Sequence, residues 1–181
     1  MQPIPKTRVC SGKSKAGVII MVSIEKGEVN IRPMERSDIE AVIAVYSKIR
    51  EEKIPGTKRS RLSYRGILTY EEVASANPGG PLDLSFVAEV NGQLVGFIWG
   101  RLAYVGIPVN EVGVIHMLVV DPDYQRHGIA GSLVNALSER CQAKGVNTVR
   151  AVLDERDWEL QNYFQSQGFR RSELFIYTRT L

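Results

Sequence analysis

A short stretch in the second half of the chain combines residue types that bind phosphate. An apolar run ends at Asp121, the chain turns through Gln-Arg-His-Gly at residues 125–128, and a helix-like pattern of small residues follows. Unpaired N–H groups at a helix start, together with the positive end of the helix dipole, bind anions. Gly128 lets the main chain approach a ligand closely, and Arg126 can direct two donors at phosphate oxygens. Alternatively, the stretch is only a strand–turn–helix connection, in which the glycines allow a tight turn and no ligand binds.

Two elements must hold this stretch in place. Residues 112–120 are rich in β-branched and apolar side chains, which predicts a long strand before the turn. Apolar residues spaced for one helical face, at positions 129, 133, 136 and 137, predict a helix after it. Gly145 is the expected end of that helix.

The rest of the chain alternates strand and helix patterns. Asn91-Gly92 between two β-rich runs predicts a hairpin. Ser37 with Glu40 predicts a capping box at the start of a helix. Further helices are expected near 69–77 and 157–167, and strands at 29–32, 84–90, 94–104, 148–153 and 173–180.

This order predicts a mixed α/β protein with one domain, in which a central sheet carries helices on both faces. The domain is expected to span residues 28–181. Residues 1–27 are interpreted as an N-terminal extension, for which flexibility is left open.

Bulk composition narrows the class further. A chain of 181 residues with 44% hydrophobic and 24% charged residues fits one soluble globular domain, and a net charge of +3 does not by itself indicate nucleic acid. No apolar run approaches the roughly 20 residues of a membrane span. Two cysteines without a metal-binding spacing favour a reducing cytoplasm and no bound metal. A homodimer is left open.

The loop also resembles a known family. Gln-x-x-Gly-x-Ala at residues 125–130 is similar to the pyrophosphate-loop signature, Arg/Gln-x-x-Gly-x-Gly/Ala, of the GNAT superfamily of acyl-CoA-dependent N-acyltransferases. The predicted order of elements matches the GNAT fold from about residue 28 to the end, which implies a mostly antiparallel sheet. The resemblance implies acetyl-CoA as acyl donor and an amine as acceptor.

The resemblance also implies where acetyl-CoA lies. The strand end before the loop would bond the pantetheine arm through its main chain, and the loop amides would take the pyrophosphate. The helix that ends at Gly168-Phe169 matches the family's later helix, with Asp157 and Phe164 where asparagine and tyrosine are usual. The implied cofactor residues are Leu118, Val119, Val120, Gln125, Arg126, His127, Gly128, Ile129, Ala130, Gly131, Ser132, Asp157 and Phe164.

A base must accept a proton from the acceptor amine, because the amine attacks in its neutral form. Relatives often place a glutamate two to four residues before the position of His116, but those positions here are Val114 and Val112. His116 can accept a proton near neutral pH. Glu111 lies on the opposite face by strand alternation, unless a β-bulge shifts the register. A structural histidine and a surface glutamate are the alternatives.

The acid that protonates the leaving thiolate has several candidates. Phe164 occupies the family's usual tyrosine position and cannot donate a proton. Tyr163 is adjacent, but helical geometry is expected to direct it elsewhere. Tyr124 matches the position of a catalytic tyrosine in the ribosomal-protein alanine N-acetyltransferases that this chain resembles. Water could also supply the proton.

The acceptor site is expected where the first two helices and the β-hairpin meet the open strand. The basic loop over 53–65 would favour an acidic acceptor if it lines that site. Trp99, Tyr104, Trp158 and Tyr177 could wall the pocket or pack in the core. The sequence leaves two functions open: an N-acetyltransferase acting on a small-molecule or protein amine by direct attack in a ternary complex, or a non-catalytic acetyl-CoA sensor.

Overall fold

The computed structural model describes residues 10–14, 17–24, 27–49, 81–106, 108–173 and 179, with side chains described from Gly27 onward except at 81–82. The helix predicted near 69–77, the basic loop over 53–65, and most of the strand predicted at 173–180 lie outside these residues. The predicted boundary between an extension and the domain at residue 28 stays a prediction.

One sheet organises the described residues. Its strands follow chain order, and every neighbouring pair is antiparallel except the last, which is parallel. This confirms the mostly antiparallel sheet. The strands are β1 (Cys10–Ser14), β2 (Gly17–Ile24), β3 (Gly27–Pro33), β4 (Phe86–Val90), β5 (Gln93–Val105), β6 (Asn110–Val120) and β7 (Val149–Ala151).

The strands extend the sheet into a segment interpreted from the sequence as an extension. The strands β1 and β2 pair with each other, and β2 pairs with β3 from Ile20↔Ile31 to Ile24↔Gly27. The predicted hairpin between β4 and β5 is confirmed. Asn91 and Gly92 both adopt positive φ, 51° and 78°, as the tight hairpin turn requires.

Three α-helices are described: α1 (Ile39–Ile49), α2 (Ile129–Ala143) and α3 (Trp158–Ser166). The predicted end of α2 is confirmed, because Gly145 takes φ 80° just after it. The predicted cap of α1 is wrong. A 3-10 turn over Arg36–Asp38 leads into the helix, and the Asp38 carboxylate accepts the N–H of Glu35 at 2.7 Å.

Helices lie on both faces of the sheet, as predicted, and each face has its own core. On one face α2 and α3 pack against the sheet through a cluster that includes Ile98, Ile115, Leu133, Leu137 and Phe164. On the other face α1 packs through a cluster that includes Ile39, Tyr46, Phe97, Met117 and Val119.

A β-bulge interrupts β6. Trp99 pairs with Met117, but the next residue of β5, Gly100, pairs with Ile115, so His116 is the extra residue. Alternation therefore changes phase at His116. On its C-terminal side Met117 joins the α1 face, and on its N-terminal side Ile115 joins the α2 face.

The two strands at the end of the sheet separate beyond the bulge. The parallel pairing of β6 with β7 ends at Ile115↔Ala151, whereas β6 stays paired with β5 up to Val120. Residues 116–120 thus have a strand neighbour on one side only among the described residues. No helix in the described part of the chain is both long and apolar enough to cross a membrane.

Candidate functional site

The turn after β6 is held from two sides. The Asp121 side chain is almost fully buried, accepts the N–H of Asp123 at 3.1 Å, and forms an ion pair with Lys48 of α1. The Gln125 side chain donates to the carbonyl of Val120 at 3.1 Å. These bonds fix the path by which β6 leads into the loop, because two of them tie the turn to α1 and to β6 and the third closes the turn itself.

The loop itself has an unusual backbone. Arg126 and Gly128 both adopt positive φ, 63° and 80°. The ring of His127 is held by Nδ1, which lies 2.7 Å from the carbonyl of Gln125. A carbonyl oxygen only accepts, so Nδ1 carries the proton in this contact.

The first turn of α2 presents unpaired amides. Gly128 is the N-cap, and the N–H of Ser132 is the first to bond within the helix, to the carbonyl of Gly128 at 3.1 Å. The N–H groups of residues 129–131 come before that bond and have no intrahelical acceptor. The first turn holds no acidic side chain. Amides in this position at a helix start are the kind that bind anions in proteins.

The two glycines of this segment have different surroundings. A Cβ added at Gly128 would meet nothing within 4 Å. Gly131, in contrast, lies against the end of α3, because a Cβ there would come 3.0 Å from the side-chain oxygen of Gln167. An added Cβ is therefore unobstructed at Gly128, whereas at Gly131 it meets the tip of the Gln167 side chain.

The predicted cofactor residues of α3 take structural places. Asp157 is buried and caps the helix by accepting the N–H of Leu160 at 3.1 Å. Phe164 is only 4% exposed and stacks edge-to-face with Phe169. Their assignment to the cofactor stays a prediction.

Two tyrosines are candidates for the acid. Tyr124 lies in the 3-10 turn over Pro122–Tyr124, half-buried against the α2-side core. The Tyr163 hydroxyl is buried and has no hydrogen-bond partner among the described residues. Burial raises the pKa of Tyr163 to about 12, so the phenol keeps its proton at neutral pH.

His116 lies on the α1 face next to two side chains of β5. Its ring faces that of Trp99 with centroids 6.0 Å apart. Partial burial, and then the charge of Arg101, lower the pKa of His116 below its ordinary value. The histidine is therefore neutral at pH 7 and can accept a proton.

The bulge does not bring Glu111 to His116. Gly113 faces α2, since a Cβ there would lie 2.5 Å from Sγ of Cys141. Glu111 lies two residues earlier on the same strand, before the bulge, and so projects on that same side. His116 and Glu111 are thus directed to opposite faces.

The structure brings some of the predicted residues together and separates others. The loop over 125–132 and the strand end over 118–120 are contiguous, with His116 two residues before that strand end. Sequence reasoning missed Arg101, although strand alternation from Trp99 would have placed it on the same face. Tyr104 and Trp158 are exposed by 71% and 56%, and Tyr177 lies outside the described residues. Within the described part of the chain no group of metal-binding side chains is found.

Comparison with known proteins identifies the class. Residues 46–169 match the Acetyltransferase (GNAT) family, so the chain belongs to this family of acyltransferases. An uncharacterised N-acetyltransferase of Methanocaldococcus jannaschii is 31% identical over 90 residues, which cover 49% of this chain and 40% of that protein. The chain spans less than half the length of the curated relatives it matches.

Solved structures support the fold. The aminoglycoside N-acetyltransferase AAC(6')-Iy, bound to a CoA-linked bisubstrate analogue, gives a TM-score of 0.66 at 18% identity, over 84% of this chain and 98% of that one. The ribosomal-protein-alanine N-acetyltransferase of Brucella melitensis gives 0.64 at 15% identity, over 84% and 99%. The first is named for a small-molecule substrate and the second for a protein substrate, so the shared fold does not select an acceptor.

Proposed function

We propose that the protein is an N-acetyltransferase that transfers an acetyl group from acetyl-CoA to a primary amine by direct attack in a ternary complex. The observation that carries the proposal is the continuity of two main-chain surfaces that have no main-chain partner among the described residues. The amides at the start of α2 follow directly from the stretch of β6 that has lost its β7 neighbour.

The cofactor fits this surface by its chemistry. The diphosphate carries negative charge and would bind the amides of residues 126–131, with Arg126 adding a cationic side chain. The pantetheine arm carries amide groups and would bond the open side of Leu118 and Val119 as a short extra strand. The gap beyond Ile115↔Ala151 supports this path, because past it β6 has no second strand neighbour in the part of the chain that the structure describes.

His116 is the base in this proposal. It lies at the bulge, at the end of the stretch proposed for the pantetheine arm, where the thioester would arrive. Its lowered pKa leaves the imidazole unprotonated at neutral pH and ready to receive the amine proton. Glu111 projects to the opposite face and is the weaker candidate.

The acid is assigned to one of two tyrosines. As the amine attacks the thioester carbonyl, the tetrahedral intermediate forms, the C–S bond breaks, and the thiolate takes a proton. Tyr124 is the predicted donor. Tyr163 is a second candidate, because its buried hydroxyl has a proton and no partner in the described part of the chain.

The second candidate function is an acetyl-CoA sensor without turnover. Phe164, buried at the family's usual tyrosine position, favours it. We place the protein in the cytoplasm in either case, because Cys141 is a free, buried thiol.

Acetyl-CoA binding by calorimetry, followed by thiol release over a panel of primary amines, tests the proposal. The transferase predicts binding and amine-dependent release, and Tyr124→Phe or Tyr163→Phe, whichever removes the acid, slows release at unchanged acetyl-CoA affinity. Tight acetyl-CoA binding without release on any amine would establish the sensor instead. Absence of acetyl-CoA binding at millimolar concentration would defeat both.

A further inference from the structure

The acceptor side of His116 holds two donors that the proposed transfer does not use. Gly100 faces α2, since a Cβ there would lie 2.5 Å from Cδ1 of Leu137. Its neighbours Trp99 and Arg101 therefore project to the α1 face. His116 is directed to this face as well, because its ring contacts that of Trp99.

Arg101 is an exposed guanidinium on this face. No carboxylate within the described part of the chain forms an ion pair with it, whereas Arg32 and Arg140 each have acidic partners. Its charge reaches His116, whose pKa it lowers. The guanidinium thus lies close to the proposed base, and none of its donors is bonded to an acceptor in the described part of the chain.

Trp99 adds a donor of a different kind. Its indole nitrogen is buried and has no acceptor among the described residues. Buried N–H groups in proteins are nearly always paired, so an unpaired one next to a reactive side chain points to an acceptor that arrives with a ligand. Because the indole nitrogen is buried, the acceptor atom of the ligand must enter the protein beside the indole ring to reach it.

We propose that Arg101 and the indole N–H of Trp99 bind a carboxylate of the amine acceptor, beside His116. The inference rests on the proposed acetyl transfer and adds the substrate class: amines that also carry a carboxylate. A planar carboxylate suits the planar fork of arginine, which can bond both oxygens. One oxygen can also accept from the indole.

Pairing of Arg101 with a substrate carboxylate would also change the basicity of His116. A carboxylate on Arg101 neutralises the charge that lowers the pKa of His116, so the imidazole becomes a stronger base when the acceptor is in place. An amine without the carboxylate would leave Arg101 unpaired and His116 less basic. Binding of the anionic group and proton acceptance are thereby linked at one site.

A nuclear magnetic resonance experiment tests the subsite without turnover. The chain has two tryptophans, so the ¹⁵N-labelled protein gives two indole signals, assigned with Trp158→Phe. Linear amino acids in which one to four carbons separate amine and carboxylate are titrated into the CoA-bound protein, each beside its carboxamide. The carboxylates should shift the Trp99 signal saturably, and the carboxamides and Arg101→Gln should abolish the shift.

Kinetics on the same pairs give the second measurement. Loss of a charge-assisted pair predicts that Arg101→Gln raises the KM of the carboxylate substrates about 10- to 100-fold, with no such rise in the KM of the carboxamides and with Arg101→Lys in between. Arg140→Gln, on the α2 face, is the matched control and should change nothing.

The outcomes separate the two proposals. A Trp99 signal that ignores every carboxylate, responds equally to carboxamides, or prefers phosphoethanolamine overturns the carboxylate subsite. Acetyl-CoA affinity, measured by calorimetry on the wild type and Arg101→Gln, must be equal. Failure of the wild type to bind acetyl-CoA would instead defeat the acetyl transfer.

Discussion

The two halves of the proposed site are built in different ways. The cofactor half consists of main-chain groups from one continuous stretch, in which Gly128 and the first turn of α2 follow directly after β6. The acceptor half consists of side chains from two strands, Trp99 and Arg101 of β5 and His116 of β6. Local geometry therefore forms the first half, and strand register forms the second.

The ion pair between Lys48 and Asp121 connects the two halves. Lys48 belongs to α1, which covers the acceptor face, and Asp121 is the buried residue that begins the turn into the cofactor loop. We expect a substitution in one half to leave the other half intact. Single substitutions therefore test acetyl-CoA binding and acceptor chemistry separately.

The largest effect is expected at Gly128. Gly128→Val should abolish acetyl-CoA binding, because the side chain would fill the space above the loop amides. A β-branched residue at φ 80° should also cost about 1–2 kcal/mol of stability. Calorimetry measures the affinity, and thermal unfolding shows whether the protein stays folded.

Gly145→Val is the matched control for this substitution. Gly145 also has φ 80° and nothing within 4 Å of an added Cβ, but it lies at the other end of α2. It should lose similar stability and keep full acetyl-CoA affinity. Equal affinity losses in the two variants would refute the placement of the cofactor.

The next effect is expected at His116. His116→Ala should lower kcat/KM about 10²- to 10⁴-fold, the range for loss of a general base, and leave acetyl-CoA affinity unchanged. Glu111→Gln should stay within about threefold of the wild type, because Glu111 projects to the other face. If Glu111→Gln lowered kcat/KM more than His116→Ala, Glu111 would be the base. The base would then not belong to the acceptor half.

A smaller effect concerns the protonation of His116. Its pKa is lowered by partial burial and by Arg101, so titration of the imidazole should fall below the ordinary 6.5. The folded state then binds fewer protons than the unfolded state. Stability from this group is full above about pH 6.5 and is lost as pH falls towards the folded pKa.

The measurement is direct because the chain has two histidines. Ring-proton signals followed against pH, with His127→Gln for assignment, give the pKa of His116. Arg101→Gln should move that pKa upward, although not to the ordinary value, because burial remains. A pKa at or above 6.5 in the wild type would contradict the placement of His116 beside Arg101 in a partly buried acceptor half.

The smallest effect is expected at Tyr163. Its buried hydroxyl lacks a partner among the described residues, so Tyr163→Phe should stabilise the cofactor-free protein by about 1 kcal/mol. Thermal unfolding of the variant, beside Tyr124→Phe, checks this. A loss of stability would mean that the hydroxyl is bonded in solution. A gain in stability together with a lower kcat would identify Tyr163 of α3 as the acid.

The sequence predicted most of the fold that is described. The hairpin at Asn91-Gly92 and the helix between Gly128 and Gly145 follow from residues whose backbone preferences are local, and both are confirmed. The cap of α1 was wrong because Asp38 competes for it. Its carboxylate accepts both Arg32 and the N–H of Glu35, a contact set by a neighbouring strand.

The residues of the proposed site likewise divide into those that the sequence predicts and those that it does not. The loop over 125–132 follows from its own residues and from the family signature that they resemble, since consecutive residues determine a helix start and its glycine. Arg101 was missed, and the position of the bulge was not predictable, because the sequence does not show which residue of β6 is left unpaired. The sequence leaves Trp99 as either a pocket wall or a core residue, and nothing in it shows that the indole N–H lacks an acceptor among the described residues.

The sequence by itself determined the turn that we propose binds the diphosphate, because helix termini and positive-φ glycines depend on neighbours along the chain. Only the tertiary structure decided which side chains meet on the acceptor face. There, one extra residue at position 116 reverses the alternation of β6, so the side to which each side chain projects depends on pairing with β5 and not on the sequence of β6.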